Sequence, residues 1–334
     1  MKRSPVVVLL ALIAHFTFAQ KITTFDPPDS IATMPTGISP SGQIVGYYGD
    51  QKAVAVRGFE RNADGTFISF DAPSSTYTLP TGVSPFRQIV GFFGANLNPG
   101  YLQLGFLRNP DSTFITFRVP GGAVTSPQDI NALGQVVGYW VDLGDISHGF
   151  LRNPDGTITS FDAGSGGFIG TIALSINASG QSTGYFDDGT GVEQHGFLRQ
   201  ADGAIATFDV PNATNTVPFA IDQRGRIVGY YTETDHSHAF LRQADGAIES
   251  FDAPGATFTT PVAINSKGQI IGYYADANTA LHGFLREADG KIKTLDVPNA
   301  TRTLPTAMTS KGEITGVFYD SNGDQHGFVI DPQK

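Results

Sequence analysis

From residue 20 onward the chain is one unit written seven times. A triplet of the type Gly-Tyr-Tyr places its glycine at 46, 91, 138, 184, 229, 272 and 316. A second triplet, His-Gly-Phe and its relatives, has its middle residue at 58, 105, 149, 196, 239, 283 and 327. A third marker is Phe-Asp with a proline two residues on, as in Phe25-Asp26, Phe70-Asp71, Phe208-Asp209 and Phe251-Asp252. Its variants are Phe117-Arg118, Phe161-Asp162 and Leu295-Asp296. Each marker returns every 43 to 47 residues. A period of that size belongs to a propeller blade or a solenoid turn, because one such unit cannot bury its apolar face alone.

Residues 259–296 show the unit: "TTPVAIN", "QIIGYY", "HGFLR" and "KIKTLD", separated by "SKG", "ADANTAL" and "EADG". Each run is short, mixes apolar with polar residues, and is bounded by Gly, Asp or Asn. Four antiparallel strands per period, seven times over, predict an all-β chain, a seven-bladed β-propeller of four-stranded blades. A β-solenoid is the competing architecture, but its rungs are shorter and carry fewer hairpins. The ends favour the propeller. Residues 21–26 read as a lone fourth strand and residues 326–330 as a lone third strand, so their pairing closes the ring and removes exposed edges. Residues 20–334 then form a single domain.

The first 19 residues read as a secretory signal peptide. Lys2 and Arg3 precede an apolar run from Val6 to Phe18, and Thr17 and Ala19 suit a cleavage site. That run is shorter than the roughly 20 residues of a spanning helix. The formal charge of −10 becomes −12 once Lys2 and Arg3 are removed. The expectation is a secreted, periplasmic or extracellular monomer with no membrane span after cleavage. No basic patch is dense enough for nucleic acid. The chain has no cysteine, which excludes disulfides, thiolate metal sites and cysteine nucleophiles.

The succession of "IN", "G-x-I-x-G", "H-G/A-F" and a strand ending in Asp resembles the bacterial extracellular HAF-repeat family. "HAF" itself stands at 238–240, with relatives at 148–150, 195–197, 282–284 and 326–328. The resemblance covers nearly all of the chain after residue 20. It implies an extracellular or cell-surface protein with a propeller-like array, and no particular activity. Arg57 and Leu104 stand where the other units carry histidine.

In "HGFLRNPDGTITSFD" (148–162), the "NPDG" turn puts Phe150 opposite Ser160 and His148 opposite Asp162. The same count pairs His195 with Asp209, His238 with Asp252, His282 with Asp296, and, across the chain ends, His326 with Asp26. Arg57 keeps an acid, Asp71, whereas Leu104 meets Arg118. A joint change of that kind is what a contacting pair produces. A His-Asp catalytic dyad is the alternative, but catalytic sets are single and this one recurs without a recurring third group. Blade-related histidines stand too far apart to share a zinc ion, and His236 with His238 lacks a third ligand. "DSNGD" (320–324) resembles part of a calcium loop without its terminal Glu. No cofactor is expected. Asn177, Asn212 and Asn299 begin glycan-acceptor triplets, which matter only in a eukaryotic secretory route.

The tight turns fall on one face and the longer loops, after Gly-Tyr-Tyr and after Phe-Asp, on the other. Longer loops on a rigid scaffold are the usual place for recognition. That face carries Asp50, Asp142, Asp145, Asp187, Asp188, Glu233, Asp235, Asp276, Asp320 and Asp324. The glycines of Gly-Tyr-Tyr are expected to let neighbouring blades approach. The most individual stretch holds Arg118, the single tryptophan Trp140 and "GSGG" (164–167). Arg118, Trp140, Asp142 and Asp145 are therefore the candidate ligand-binding residues, although Trp140 also suits packing. The sequence favours a binding or scaffold propeller for an extracellular carbohydrate or protein. A propeller glycan hydrolase or lyase, with its site in the central channel mouth, is the other class.

Overall fold

A computed structural model describes residues 21–52, 55–95, 102–164, 170–189, 193–234 and 236–332. The expected signal peptide, most of "GSGG" and Asp235 lie outside them. The described residues are all-β, with no helix and 28 strands. Among them, no helix is long and apolar enough to cross a membrane.

The third repeat shows the local logic. Val124–Ile130, Val136–Val141, Ser147–Arg152 and Ile158–Phe161 form one antiparallel sheet in chain order. The outer hairpin takes the register set by its turn, with Phe150 opposite Ser160 and Arg152 opposite Ile158. Gly156 supplies the left-handed conformation that the turn requires, at φ 91°. The strand Ile22–Phe25 pairs antiparallel with Gln325–Ile330, matching Ile22 to Ile330 and Phe25 to Gly327. Thr33, in the next strand, donates from Oγ1 to Asp26 at 2.6 Å.

In every repeat the first strand carries a bulge, for instance between Pro127 and Asp129 and between Pro218 and Ala220. A bulge adds one residue and bends its strand. The bent strand explains the Gly-Tyr-Tyr glycines and corrects the expectation that they serve the approach of neighbouring blades. A Cβ on Gly229 would stand 2.1 Å from the Val217 carbonyl oxygen and 2.7 Å from Pro218 Cα, both in its own repeat. The glycine admits the bulged first strand against the second.

Side-chain alternation then packs repeat against repeat. Phe59, Phe106, Phe150, Phe197, Phe240, Phe284 and Phe328, the aromatic of each His-Gly-Phe, are fully buried. The arginine two residues on reaches the fourth-strand Phe of the preceding repeat. Arg108 lies 4.6 Å over Phe70, Arg152 5.0 Å over Phe117, Arg199 4.9 Å over Phe161 and Arg286 4.7 Å over Phe251. Arg61 lies over Phe25 in the same manner, at 4.9 Å. The series breaks once: Ile330 replaces the arginine, and Leu295 replaces the aromatic it would meet, in the same apolar cluster. Both sides of the contact change together.

Candidate functional site

The outer hairpin brings each histidine to its acid. His148 Nδ1 lies 2.9 Å from Asp162 Oδ1, His195 Nδ1 3.0 Å from Asp209, and His238 Nδ1 2.7 Å from Asp252. His282 lies 2.8 Å from Asp296, and His326 2.7 Å from Asp26. Arg57 Nη2 donates to Asp71 at 2.8 Å.

A second carboxylate, not foreseen as a partner, approaches from the loop after the second strand. Asp142 Oδ2 is 3.6 Å from His148 Nε2, Asp276 3.7 Å from His282 Nε2, and Asp320 4.0 Å from His326 Nε2. Asp50 meets Arg57 at 3.3 Å. Each loop acid is fixed by its own backbone. Asp142 Oδ1 accepts from the N–H groups of Gly144 and Ile146 at 2.7 and 2.9 Å. Asp320 accepts likewise from Asn322 and Asp324. The "DSNGD" oxygen is therefore turned onto its own loop. Backbone N–H donation, helped by the histidine, holds Asp142, Asp276 and Asp320 below the usual carboxylate range. An Asp directly after the second strand, at 142, 276 and 320, was the available signal.

An aromatic ring covers each histidine. Trp140 stacks on His148 with centroids 4.6 Å apart, and Phe186, Tyr231, Tyr274 and Phe318 take the same place at 5.1 to 5.3 Å. The Trp140 indole N–H donates to Ser160 Oγ at 2.8 Å. His148 thus has both nitrogens facing carboxylates and one face on an indole. The neighbouring Ser160 hydroxyl serves the tryptophan.

Of the four candidate ligand residues, Trp140 and Asp142 gather around His148. Arg118 and Asp145 are exposed, and their side chains make no ion pair or hydrogen bond described among these residues. Asp145 sits at its loop tip with φ 64°. A cleft of about 390 Å³ opens beside His148 and Asp162, lined also by Gly164, Thr171, Phe186 and Asp187. One group of potential metal ligands occurs among the described residues: Asp188, Glu193 and His195, with ligand atoms within 4.8 Å of one another. His236 and His238 stand 6.5 Å apart.

The most individual group lies elsewhere. The ends of the seven first strands line one shared cavity of about 270 Å³. Its lining runs from Thr36, Gly37 and Ile38 of the first repeat to Thr306, Ala307 and Met308 of the last. The residue two after the bulge-starting position is Gly37, Gly82, Ser175, Ala220, Ala263 or Ala307 in six repeats. In the third it is Asp129. Comparison of the copies at this one position carried the signal, but small residues in a strand drew no notice. Burial pushes the Asp129 carboxyl up to about 6, against donation from Ile176 N–H, Ile130 N–H and Ser175. The tight turns follow directly, so this cavity lies at the end opposite the longer loops.

No protein-family model matches the chain, and no curated protein matches it in sequence. In fold it is similar to solved β-propellers. The β-propeller domain of the Trilobed protease from Pyrococcus furiosus, described as having an open velcro topology, gives a TM-score of 0.65 at 9% identity, over 91% of this chain and 95% of that one. Virginiamycin B lyase from Staphylococcus aureus gives 0.60 at 13% identity, over 94% and 100%. An oligogalacturonate lyase solved with manganese gives 0.62 at 9% identity, over 94% and 97%. The fold is a β-propeller. At these identities the likeness concerns the scaffold alone.

Proposed function

We propose that this chain is an exported binding scaffold: a seven-bladed β-propeller of four-stranded antiparallel blades, with residues 21–26 closing the ring against 326–330. Three contacts support closure: the pairing of Ile22–Phe25 with Gln325–Ile330, the bridge from Ala32 to Gln325, and the His326–Asp26 contact. The signal-peptide pattern and the HAF-type repeat support a secreted, periplasmic or extracellular setting in a bacterium. The ligand is a carbohydrate or protein, met on the longer-loop face near Arg118, Trp140, Asp142 and Asp145.

One observation carries the choice of binding over catalysis. The His-Asp pairs on that face recur from blade to blade and are held by their own blade, as His148 is by Asp162, Asp142 and Trp140. Hydrolysis or elimination needs a unique acid and base poised at substrate. The face instead offers carboxylates and exposed loop tips, including Leu143. The test is a glycan array and an extracellular-protein capture screen with the purified protein, beside Arg118→Glu and Asp145→Lys. Binding that falls tenfold or more in either variant supports the reading. Turnover of an array glycan would overturn it in favour of a hydrolase or lyase.

A further inference from the structure

Asp129 is the one ionisable side chain among the residues lining the shared cavity. Its Oδ1 accepts from Ile130 N–H at 2.8 Å. Its Oδ2 accepts from Ser175 Oγ at 3.1 Å and Ile176 N–H at 3.0 Å, both from the next repeat. From the preceding repeat the facing residue is Gly82, where a Cβ would lie 3.5 Å from Oδ1. Three neutral donors orient the carboxylate, and no Lys, Arg or His on these elements compensates its charge. A half-buried carboxylate with no basic partner favours a cation in the space beside it.

The rest of the cavity decides which cation. A calcium ion takes six to eight oxygen ligands and draws its affinity from several carboxylates; this lining has one. Val83, Leu174, Phe219, Val262 and Met308 contribute apolar side chains to a lining whose exposed atoms are mostly polar. The Thr36 and Thr81 hydroxyls donate to Pro80 and Pro127 carbonyls at 3.0 Å, which leaves their oxygens able to accept. A short methylene stem suits those side chains, and an ammonium head suits the acid and hydroxyls.

The rim is mixed in character. The turns directly after Val83 and Ile130 expose Phe86 and Leu133, 67% and 60% accessible. The other repeats place Ser41, Ser179, Arg224, Lys267 and Lys311 there. Lys267 and Lys311 turn their ammonium groups onto the Lys311 and Pro40 carbonyls. Beside Phe86, Arg87 is turned to Gln43 and Glu60, so these basic groups of the rim are held on their own polar partners and leave Asp129 without one.

We propose that the tight-turn end of this cavity binds a primary ammonium on an apolar stem, as a free alkylamine or a lysine side chain, with Asp129 as its counter-ion. The site stands apart from the longer-loop face, so it survives or fails independently of the function proposed above. Ligand binds the ionised acid, so affinity falls as pH drops through about 6. The experiment titrates the purified protein at pH 8 and pH 5, by calorimetry and ligand-observed NMR. The probes are n-butylammonium, Nα-acetyl-lysine methylamide and its uncharged norleucine analogue. Expected are saturable binding of the ammonium probes at pH 8, none of norleucine, and about tenfold weaker binding at pH 5. Tighter binding of the lysine derivative than of butylammonium assigns the site to a polypeptide, and the reverse to a free amine. Asp129→Ser, which copies Ser175, loses at least tenfold in affinity with cooperative melting retained. Gly82→Ala, which narrows the space beside Oδ1 and keeps the acid, also weakens binding. Equal binding of norleucine and lysine probes, or full affinity in Asp129→Ser, overturns the proposal. So does saturable calcium binding lost in Asp129→Ser with no amine response.

Discussion

Phe25→Ala tests whether the N-terminal strand carries the ring. Phe25 is 8% exposed, and its ring meets Phe59 and Phe67 at 6.3 and 6.0 Å between centroids. The Arg61 guanidinium lies 4.9 Å over it, and a Cβ on Gly327 would stand only 2.4 Å from its ring. Phe70, inside the chain, has the same surroundings: 7% exposed, 6.4 Å from Phe106, 6.1 Å from Phe114, and 4.6 Å under Arg108. Truncating a buried Phe to Ala costs about 3–5 kcal/mol, and the guanidinium contact contributes about 1 kcal/mol of that. Allowing for relaxation near a chain end, the expected loss for Phe25→Ala is about 3 kcal/mol. In a domain this large each kcal/mol moves Tm by roughly 2 °C, so the shift is about 6 °C. Phe70→Ala, measured in parallel by calorimetry, sets the scale for a contact that no fraying can release. Comparable shifts support a ring held by its first strand. If Phe25→Ala moves Tm by less than about 1 °C while Phe70→Ala moves it fully, the strand is a dispensable tail and the closure is refuted.

Gly229→Ala forces a Cβ against the Val217 carbonyl and Pro218 Cα; a loss of about 3 kcal/mol is expected in chemical unfolding, and a neutral result would refute the bulge argument. Ile330→Arg alone buries an unmatched guanidinium, whereas Ile330→Arg with Leu295→Phe restores the pair found in the other repeats. The double variant should be more stable than Ile330→Arg by at least about 1 kcal/mol in urea unfolding. For Asp129, burial raises the native carboxyl from 3.8 to about 6. The native state then holds the proton more tightly than the unfolded chain. Stability is fully present below pH 3.8 and declines as pH rises to 6, by about 3 kcal/mol. Melting curves from pH 4 to 7 should show this decline in the wild type relative to Asp129→Asn. Parallel pH profiles would show that Asp129 is ionised as readily as in water.

The outer hairpin was legible because its register is a local matter. A "PDG" turn fixes which residues face each other, so counting outward from Gly156 reaches His148 and Asp162 without any knowledge of the fold. The same count across the chain ends placed His326 with Asp26, 300 residues apart, because the seven copies supplied the missing partner strand. The role of the Gly-Tyr-Tyr glycines was misjudged for a physical reason. The bulge that crowds them is a backbone feature of the partner strand, and its mark in the sequence, a proline at 35, 80, 127, 218, 261 and 305, reads equally as an edge-strand residue.

Chain order and turn chemistry by themselves determined the strands, their pairing within each repeat and the placing of the histidine clips. Those contacts span few residues and recur, so seven copies of one pattern overdetermine them. Tertiary structure alone decided which positions share a space. Asp142 reaches the far side of His148 only because a loop folds back on its own N–H groups. Asp129 becomes a single charge in a common cavity only because seven strand ends converge there. In the sequence it is one acid in a strand, and its partners Gly82 and Ser175 lie more than forty residues away on either side.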